Sequence, residues 1–162
     1  MNIVVAINNK NGIGYNNVIP WKCKEDLLFL RDLIKNNIII MGRKTLDSIG
    51  HPLLHCDNII LSSQKRLSYK NIELTDNIND AIYLARKIKS ISDKKIFILG
   101  GSQIYEEFLL HCDGAYITRI DDDSECDTFF PYDKLLKTYK LEWETILSPI
   151  AILQYYKNNN TI

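Results

Sequence analysis

Residues 38–45 read IIIMGRKT: four consecutive apolar residues, a glycine, two cations and a hydroxyl. A run that is continuously apolar, without polar alternation, suits a strand buried on both faces. The glycine ends it. Arg43-Lys44-Thr45 then opens a short helix, whose free N–H groups and dipole make an anion site, whereas two cations at a helix start are otherwise unfavourable. The same order of strand, glycine and helix recurs at 96–102, IFILGGS. Glycines let a backbone approach a ligand closely, although Gly100-Gly101 is not the GxGxxG pattern.

On either side of these two stretches the pattern continues. Apolar, β-branched runs at 2–8, 57–62, 72–75 and 114–121 alternate with helical periodicities. The helical stripes are Leu27, Leu30 and Ile34 within 24–36, then Ile78, Ala81, Ile82, Ala85 and Ile88 within 77–90, then Tyr105, Phe108 and Leu109 within 102–110. Strands alternating with helices imply βαβ units, so the expected fold class is α/β. We expect a three-layer sandwich with a mainly parallel central sheet and helices on both faces. After 121 the order changes to an Asp-rich loop, Phe129-Phe130-Pro131, and runs at 139–147 and 150–157 split by Ser148-Pro149, which predicts an antiparallel C-terminal hairpin. With no repeat or linker, residues 1–162 read as a single domain with a polar tail at Asn158–Asn160.

Composition sets limits on function. Of 162 residues, 46% are hydrophobic and 25% charged, with 20 basic against 20 acidic. Net zero charge gives no global field for nucleic acid or an anionic membrane, so neither is expected as a partner. Ile, Asn and Lys supply 25, 15 and 15 residues, a bias typical of AT-rich coding, so isoleucine alone is discounted as a sign of strands. No apolar run approaches the roughly 18 residues of a membrane span, and MNIVVAINNK lacks the basic-then-apolar order of a signal peptide. A cytoplasmic monomer is expected, with Cys23, Cys56, Cys112 and Cys126 as thiols and Asn159-Asn160-Thr161 a chance glycosylation match. His51, His55 and Cys56 are the one cluster with metal-ligating side chains, but Pro52 interrupts it and no fourth ligand has diagnostic spacing, so no metal is expected.

Two glycine turns at the C-terminal ends of parallel strands fall in the crevice where open α/β sheets bind ligands, and together they can hold both ends of a dinucleotide. A third strand end, Leu61-Ser62-Ser63, adds hydroxyls. Arg43, Lys44 and Ser63 suit an extra phosphate, and no acidic residue is placed to accept a ribose 2′-hydroxyl, which favours NADPH over NADH. Asp26 lies in the first turn of a helix beside Leu27 and Leu30; its carboxylate either borders an apolar site or caps the helix. Trp21 follows Gly12 and Gly14, in a stretch expected to be a mobile loop, and packs as core or serves that site.

In order along nearly the whole chain, IVVAINNKNGIGYNNVIPW, EDLLFLR, IIIMGRKTLDSIGHPL, NIILSSQ, FILGGSQIYEEFL, AYITRID and CDTFFP resemble the dihydrofolate reductase family. The resemblance implies NADPH-dependent reduction of 7,8-dihydrofolate to tetrahydrofolate, supporting one-carbon metabolism and thymidylate synthesis, in an antifolate target. It implies that Asp26 grips the pterin, supported by Thr118, with Trp21 holding a water. Val4, Ala6, Leu27, Leu30, Arg31, Ile49, Leu53, Leu99 and Tyr105 would surround the substrate. The cofactor would fall to Ala6, Ile13, Ile19, Gly42, Arg43, Lys44, Thr45, Leu61, Ser62, Ser63, Gly100, Gly101, Ser102, Gln103 and Ile104, with a cis peptide at Gly100-Gly101.

The chain departs from the family where an arginine usually holds the substrate's glutamate: the stretch here is Pro52-Leu53-Leu54-His55-Cys56. Arg31 is the expected partial substitute and Arg66 a more distant one. Cys126 stands where the family has Gly. The alternatives are a related-fold reductase of another heterocycle, like the riboflavin-pathway pyrimidine reductases, and a binding domain without activity.

Overall fold

Parity along the strands explains why continuous apolar runs became a two-faced sheet. In the computed structural model, which describes residues 1–160, Ile3, Val5, Ile38, Ile40, Ile59, Ile96 and Ile98 share one buried cluster with Ala81, Ala85 and Phe108. Val4, Ile39, Met41, Ile60 and Phe97 point the other way and join Ile34 and Leu46. Successive strand residues face opposite sides, so each run feeds two cores. A fully buried Ile contributes roughly 1.5–3 kcal/mol, which makes these layers, and not the helix caps, the main source of stability.

The elements are β1 (Asn2–Ile7), β2 (Gly12–Gly14), α1 (Lys24–Ile34), β3 (Ile38–Gly42), α2 (Arg43–Ile49), β4 (Asp57–Leu61), β5 (Ile72–Thr75), α3 (Ile78–Ser90), β6 (Ile96–Ile98), α4 (Ser102–Phe108), β7 (Gly114–Ile120), β8 (Thr128–Phe129), α5 (Tyr132–Leu135), β9 (Tyr139–Ser148) and β10 (Ala151–Asn158). The main sheet runs β5-β4-β3-β6-β1-β7-β10-β9. β5 to β7 are mutually parallel, while β10 is antiparallel to both β7 and β9. The single-domain α/β sandwich with its antiparallel terminal hairpin is therefore as expected. α3 and α4 cover one face, and α1 and α2 the other.

Several boundaries differ for local reasons. The helix expected over 24–36 ends at Ile34, because Asn37 turns its amide onto the carbonyls of Leu33 and Lys35 (3.2 and 3.1 Å) and Asn36 takes φ 61°. The one expected over 102–110 ends at Phe108, and the hydroxyl of Tyr139 donates to the Leu109 carbonyl at 2.7 Å. Asn158 is not polar tail: it closes β10, is buried, and donates to the Cys112 carbonyl at 2.9 Å. Residues 161 and 162 of the expected domain, and hence Thr161 of the glycosylation match, lie outside the described residues.

Candidate functional site

The chain leaves β3, moves outward through β4 and β5, and returns to place β6 beside β3. Connections from those two strands depart in opposite directions, which opens a crevice at their C-terminal ends. Both glycine turns lie there. The amide of Gly42 donates to the carbonyl of Gly100 at 2.8 Å. A Cβ on Gly42 would lie 3.2 Å from Ile104, and one on Gly101 would lie 3.4 Å from the Thr45 hydroxyl, so the starts of α2 and α4 are side by side. Gly100 has φ 99°, a Cβ there would sit 2.7 Å from the Tyr105 ring, and the Gly100-Gly101 peptide is cis. Only glycine satisfies both demands.

Asp26 is a partly buried carboxylate in the first turn of α1. Thr118, 2% exposed on β7, donates its hydroxyl to Asp26 Oδ1 at 2.5 Å. The cap residue of α1 is Cys23, with no side-chain cap bond, so the capping alternative for Asp26 has no bond behind it. Burial raises the carboxyl above the ordinary carboxylate range, and the Thr118 hydrogen bond offsets part of that rise. Thr118 pairs in register with Ala6 of β1. Ala6 and Trp21 pack together against Cys23, Ile120 and Ala151. Tyr105 is buried, donates to the Val4 carbonyl at 2.8 Å, and has its hydroxyl pushed up by burial and then by the charge of Asp26.

Val4, Leu30, Ile49, Leu53 and Leu99 belong to one apolar cluster and form a wall drawn from β1, α1, α2 and the loops that follow α2 and β6. Buried Asn58 fixes Leu53, accepting from its amide and donating to its carbonyl, both at 2.9 Å. Leu27 is 59% exposed on the open side of α1. Arg31 does not join the wall; its exposed side chain lies 3.7 Å from Asp32. Cys56 turns inward instead, donating its thiol to the carbonyl of Ile34 at 3.3 Å.

The stretch after β1 is better organised than a bare mobile loop. β2 pairs with β8, Tyr15 bridges to Val18, and Asp127 accepts from the Asn16 amide at 2.9 Å. Ile13 packs against the main core, while Ile19 is exposed. Among the residues expected to meet a cofactor, Arg43 pairs with Asp47 at 2.6 Å, Ser62 accepts from the Gln64 amide, Gln103 donates to Glu107, and Ser102 donates to the Phe129 carbonyl. A pocket of about 330 Å3 beside them is lined by Arg43, Asp47, Gln64, Arg66, Leu67, Ser68 and Tyr69. Arg66 thus sits with Arg43 in a pocket that Lys44 and Ser63 do not line.

The family model for dihydrofolate reductase matches residues 1–148. The chain belongs to the dihydrofolate reductase family. Relatives include the dihydrofolate reductase of Staphylococcus haemolyticus, 37% identical over 131 residues, covering 81% of this chain and 76% of that protein. The enzyme of Buchnera aphidicola from Schizaphis graminum is 34% identical over 161 residues, covering 99% and 91%. In fold, the chain is similar to dihydrofolate reductase from Enterococcus faecalis complexed with NADP(H) and RAB-propyl, with a TM-score of 0.85, 23% identity, and 98% and 96% coverage.

Beyond the expected dihydrofolate reductase positions, Asp47 and Tyr69 are the polar residues that sequence reading missed. Asp47 carried a usable signal, since it is four residues after Arg43 on one helix face. Tyr69 carried none, because only the loop's return brings its hydroxyl to Asp47 at 3.0 Å.

Proposed function

We infer that this chain reduces 7,8-dihydrofolate to 5,6,7,8-tetrahydrofolate with NADPH. The observation that carries the reading is Asp26: a single carboxylate, burial-raised, held by Thr118 through Oδ1 and bordered by the wall from Val4 to Leu99. That leaves Oδ2 for a substrate. A buried carboxylate suits the amidine-like edge of a pterin, where two charge-assisted hydrogen bonds form together.

The residues present fit the cofactor. The crevice has two backbone approaches at Gly42 and Gly100-Gly101, and a cationic pocket beside them. Gly42 to Thr45, Leu61 to Ser63 and Gly101 to Ile104 would hold the nucleotide, and Ala6, Ile13 and Ile19 would face the nicotinamide. Bound NADPH supplies the hydride. The protein orients the ring, excludes water through the stretch containing Trp21, and serves proton delivery to the adjacent ring nitrogen, directly from Asp26 or through a water held by Trp21. A raised carboxyl keeps a proton at higher pH than an ordinary aspartate does, which favours that role.

A related-fold reductase of another heterocycle is not favoured, because a sugar-phosphate substrate has no use for this apolar wall. The four cysteines are free thiols, which supports a reducing compartment; no helix among the described residues is long and apolar enough to cross a membrane. We place the chain in the cytoplasm as a monomer acting on a small molecule, without nucleic acid, membrane or metal as partner. The test is steady-state turnover of purified protein: one NADPH oxidised per dihydrofolate, with tetrahydrofolate as product. Loss of NADPH without dihydrofolate, or none with it, refutes the reading.

A further inference from the structure

A second cavity, of about 400 Å3, lies between the start of α4, the end of β8 and α5. It is within the size range of small-molecule sites, roughly 300–1,000 Å3, and Ser102 is the one lining residue it shares with those expected to meet the cofactor. Two bonds fix its walls: the Ser102 hydroxyl donates to the Phe129 carbonyl at 2.6 Å, and the Phe130 amide donates to the Asn11 carbonyl at 2.9 Å. Several of its groups are already matched. Lys134 pairs with Glu106. The Tyr132 ring has the Arg119 guanidinium 5.1 Å from its centroid and Tyr156 edge-on at 6.1 Å, and buried Phe130 has Tyr105 edge-on at 5.2 Å. Three lining groups are unmatched among the described residues. Phe129 is 45% exposed and meets no other ring. Lys10 donates to the Asp123 carbonyl at 3.1 Å but has no carboxylate within ion-pair distance, and exposed Asp133 has no cation.

We propose that this cavity is a second small-molecule site, and that it takes a zwitterion with an aromatic ring, the chemistry of an aromatic amino acid. The ring lies against Phe129, the carboxylate meets Lys10 and the ammonium meets Asp133. The choice follows from the charges. Lys10 and Lys134 balance Glu106 and Asp133, so the cavity as a whole favours neither sign. A simple anion that gains Lys10 is opposed by Asp133, and a simple cation that gains Asp133 is opposed by Lys10, whereas a zwitterion satisfies both. Phe129 supplies the apolar share, since aromatic rings pack edge-on or offset against one another. The bonds from Ser102 and Phe130 hold the walls before a ligand arrives, which lowers the ordering cost of binding. None of the lining residues belongs to the apolar wall from Val4 to Leu99, so the occupant is distinct from the substrate bound at Asp26.

The test titrates the whole protein, with NADP+ and folate present and absent, and follows backbone amide chemical shifts, which report weak binding residue by residue. The probes are L-phenylalanine, 3-phenylpropionate, which lacks the ammonium, and 2-phenylethylamine, which lacks the carboxylate. L-Phenylalanine is expected to give saturable shifts at Asn11, Phe129 and Asp133 whether or not NADP+ and folate are bound. Each of the other two probes is expected to bind about tenfold more weakly, the low end for a charge-assisted contact because both charged side chains are exposed. K10Q and D133N are each expected to weaken L-phenylalanine by the same factor, while D133N does not weaken 3-phenylpropionate and K10Q does not weaken 2-phenylethylamine. No saturable shift at these residues overturns the proposal. So does displacement of L-phenylalanine by NADP+ and folate, which would put it in the crevice, and so does equal binding of the three probes or an affinity that neither variant alters.

Discussion

Replacing Asp26 by Asn keeps the shape of the side chain and an oxygen that can accept from Thr118, yet removes the one group in the cleft that can gain and lose a proton. The carboxylate is raised by burial and only partly drawn back by the 2.5 Å bond from Thr118. Loss of a positioned acid–base group slows a proton-coupled step by about a hundred- to ten-thousandfold. Single-turnover hydride transfer, followed by the loss of reduced-nicotinamide absorbance, should fall within that range. The wild-type rate should carry an inflection above the ordinary aspartate value, and Asp26→Asn should lose it. Stability should move the other way. An acid whose folded pKa is raised contributes its stability in full below the unfolded value, about 3.9, and loses it as pH rises through the folded value. The neutral amide escapes that loss, so Asp26→Asn should be more resistant to urea than wild type at neutral pH, with the difference vanishing near pH 4 and below. A variant within tenfold of the wild-type rate, with the same pH profile, would refute the assignment of Asp26 to proton delivery.

Thr118→Val removes the hydrogen bond that favours the charged form of Asp26, so the inflection of the pH–rate profile should move to higher pH; an unmoved inflection would show that the bond does not tune the acid. Cys56→Arg should tighten dihydrofolate by about 1–2 kcal/mol, a charge-assisted contact discounted for solvent, with NADPH little changed and no gain for a pterin lacking glutamate, all read by equilibrium titration. Equal responses of both ligands would mean that position 56 does not face the substrate tail. Gly12→Ala should destabilise the β2–β8 pairing, because its Cβ would lie 2.3 Å from Cys126 Sγ, and adding Cys126→Gly should recover most of the loss in thermal melting. Tyr105→Phe should cost about 1 kcal/mol through the lost bond to Val4, measured by urea unfolding.

How much of this was legible depended on whether the cause was local. The parallel sheet was, since runs such as Ile38–Met41 must bury both faces, and so were the glycine turns, whose chemistry depends on three or four consecutive residues. The β2–β8 pair was not: β2 is three residues with two glycines, and its partner Thr128–Phe129 is exposed. Its register comes from bonds between Asn8 and Cys126 and between Asn16 and Asp127, pairs far apart in sequence. Asp26 could be singled out by its apolar neighbours, but choosing between a cap and a site needed Thr118, ninety-two positions away. Arg66 could not be placed from the sequence for the same reason. Only the fold of the loop after β4 shows that it shares a pocket with Arg43.

The most direct test is a crystal structure of this chain with NADP+ and folate bound together. The account predicts that Asp26 Oδ2 lies within hydrogen-bond distance of the pterin edge, that the glycine turns at 42 and 100–101 flank the dinucleotide, and that the nicotinamide stacks against the pterin near Ala6. A pterin bound away from Asp26, or a nucleotide bound away from the crevice between β3 and β6, would contradict it.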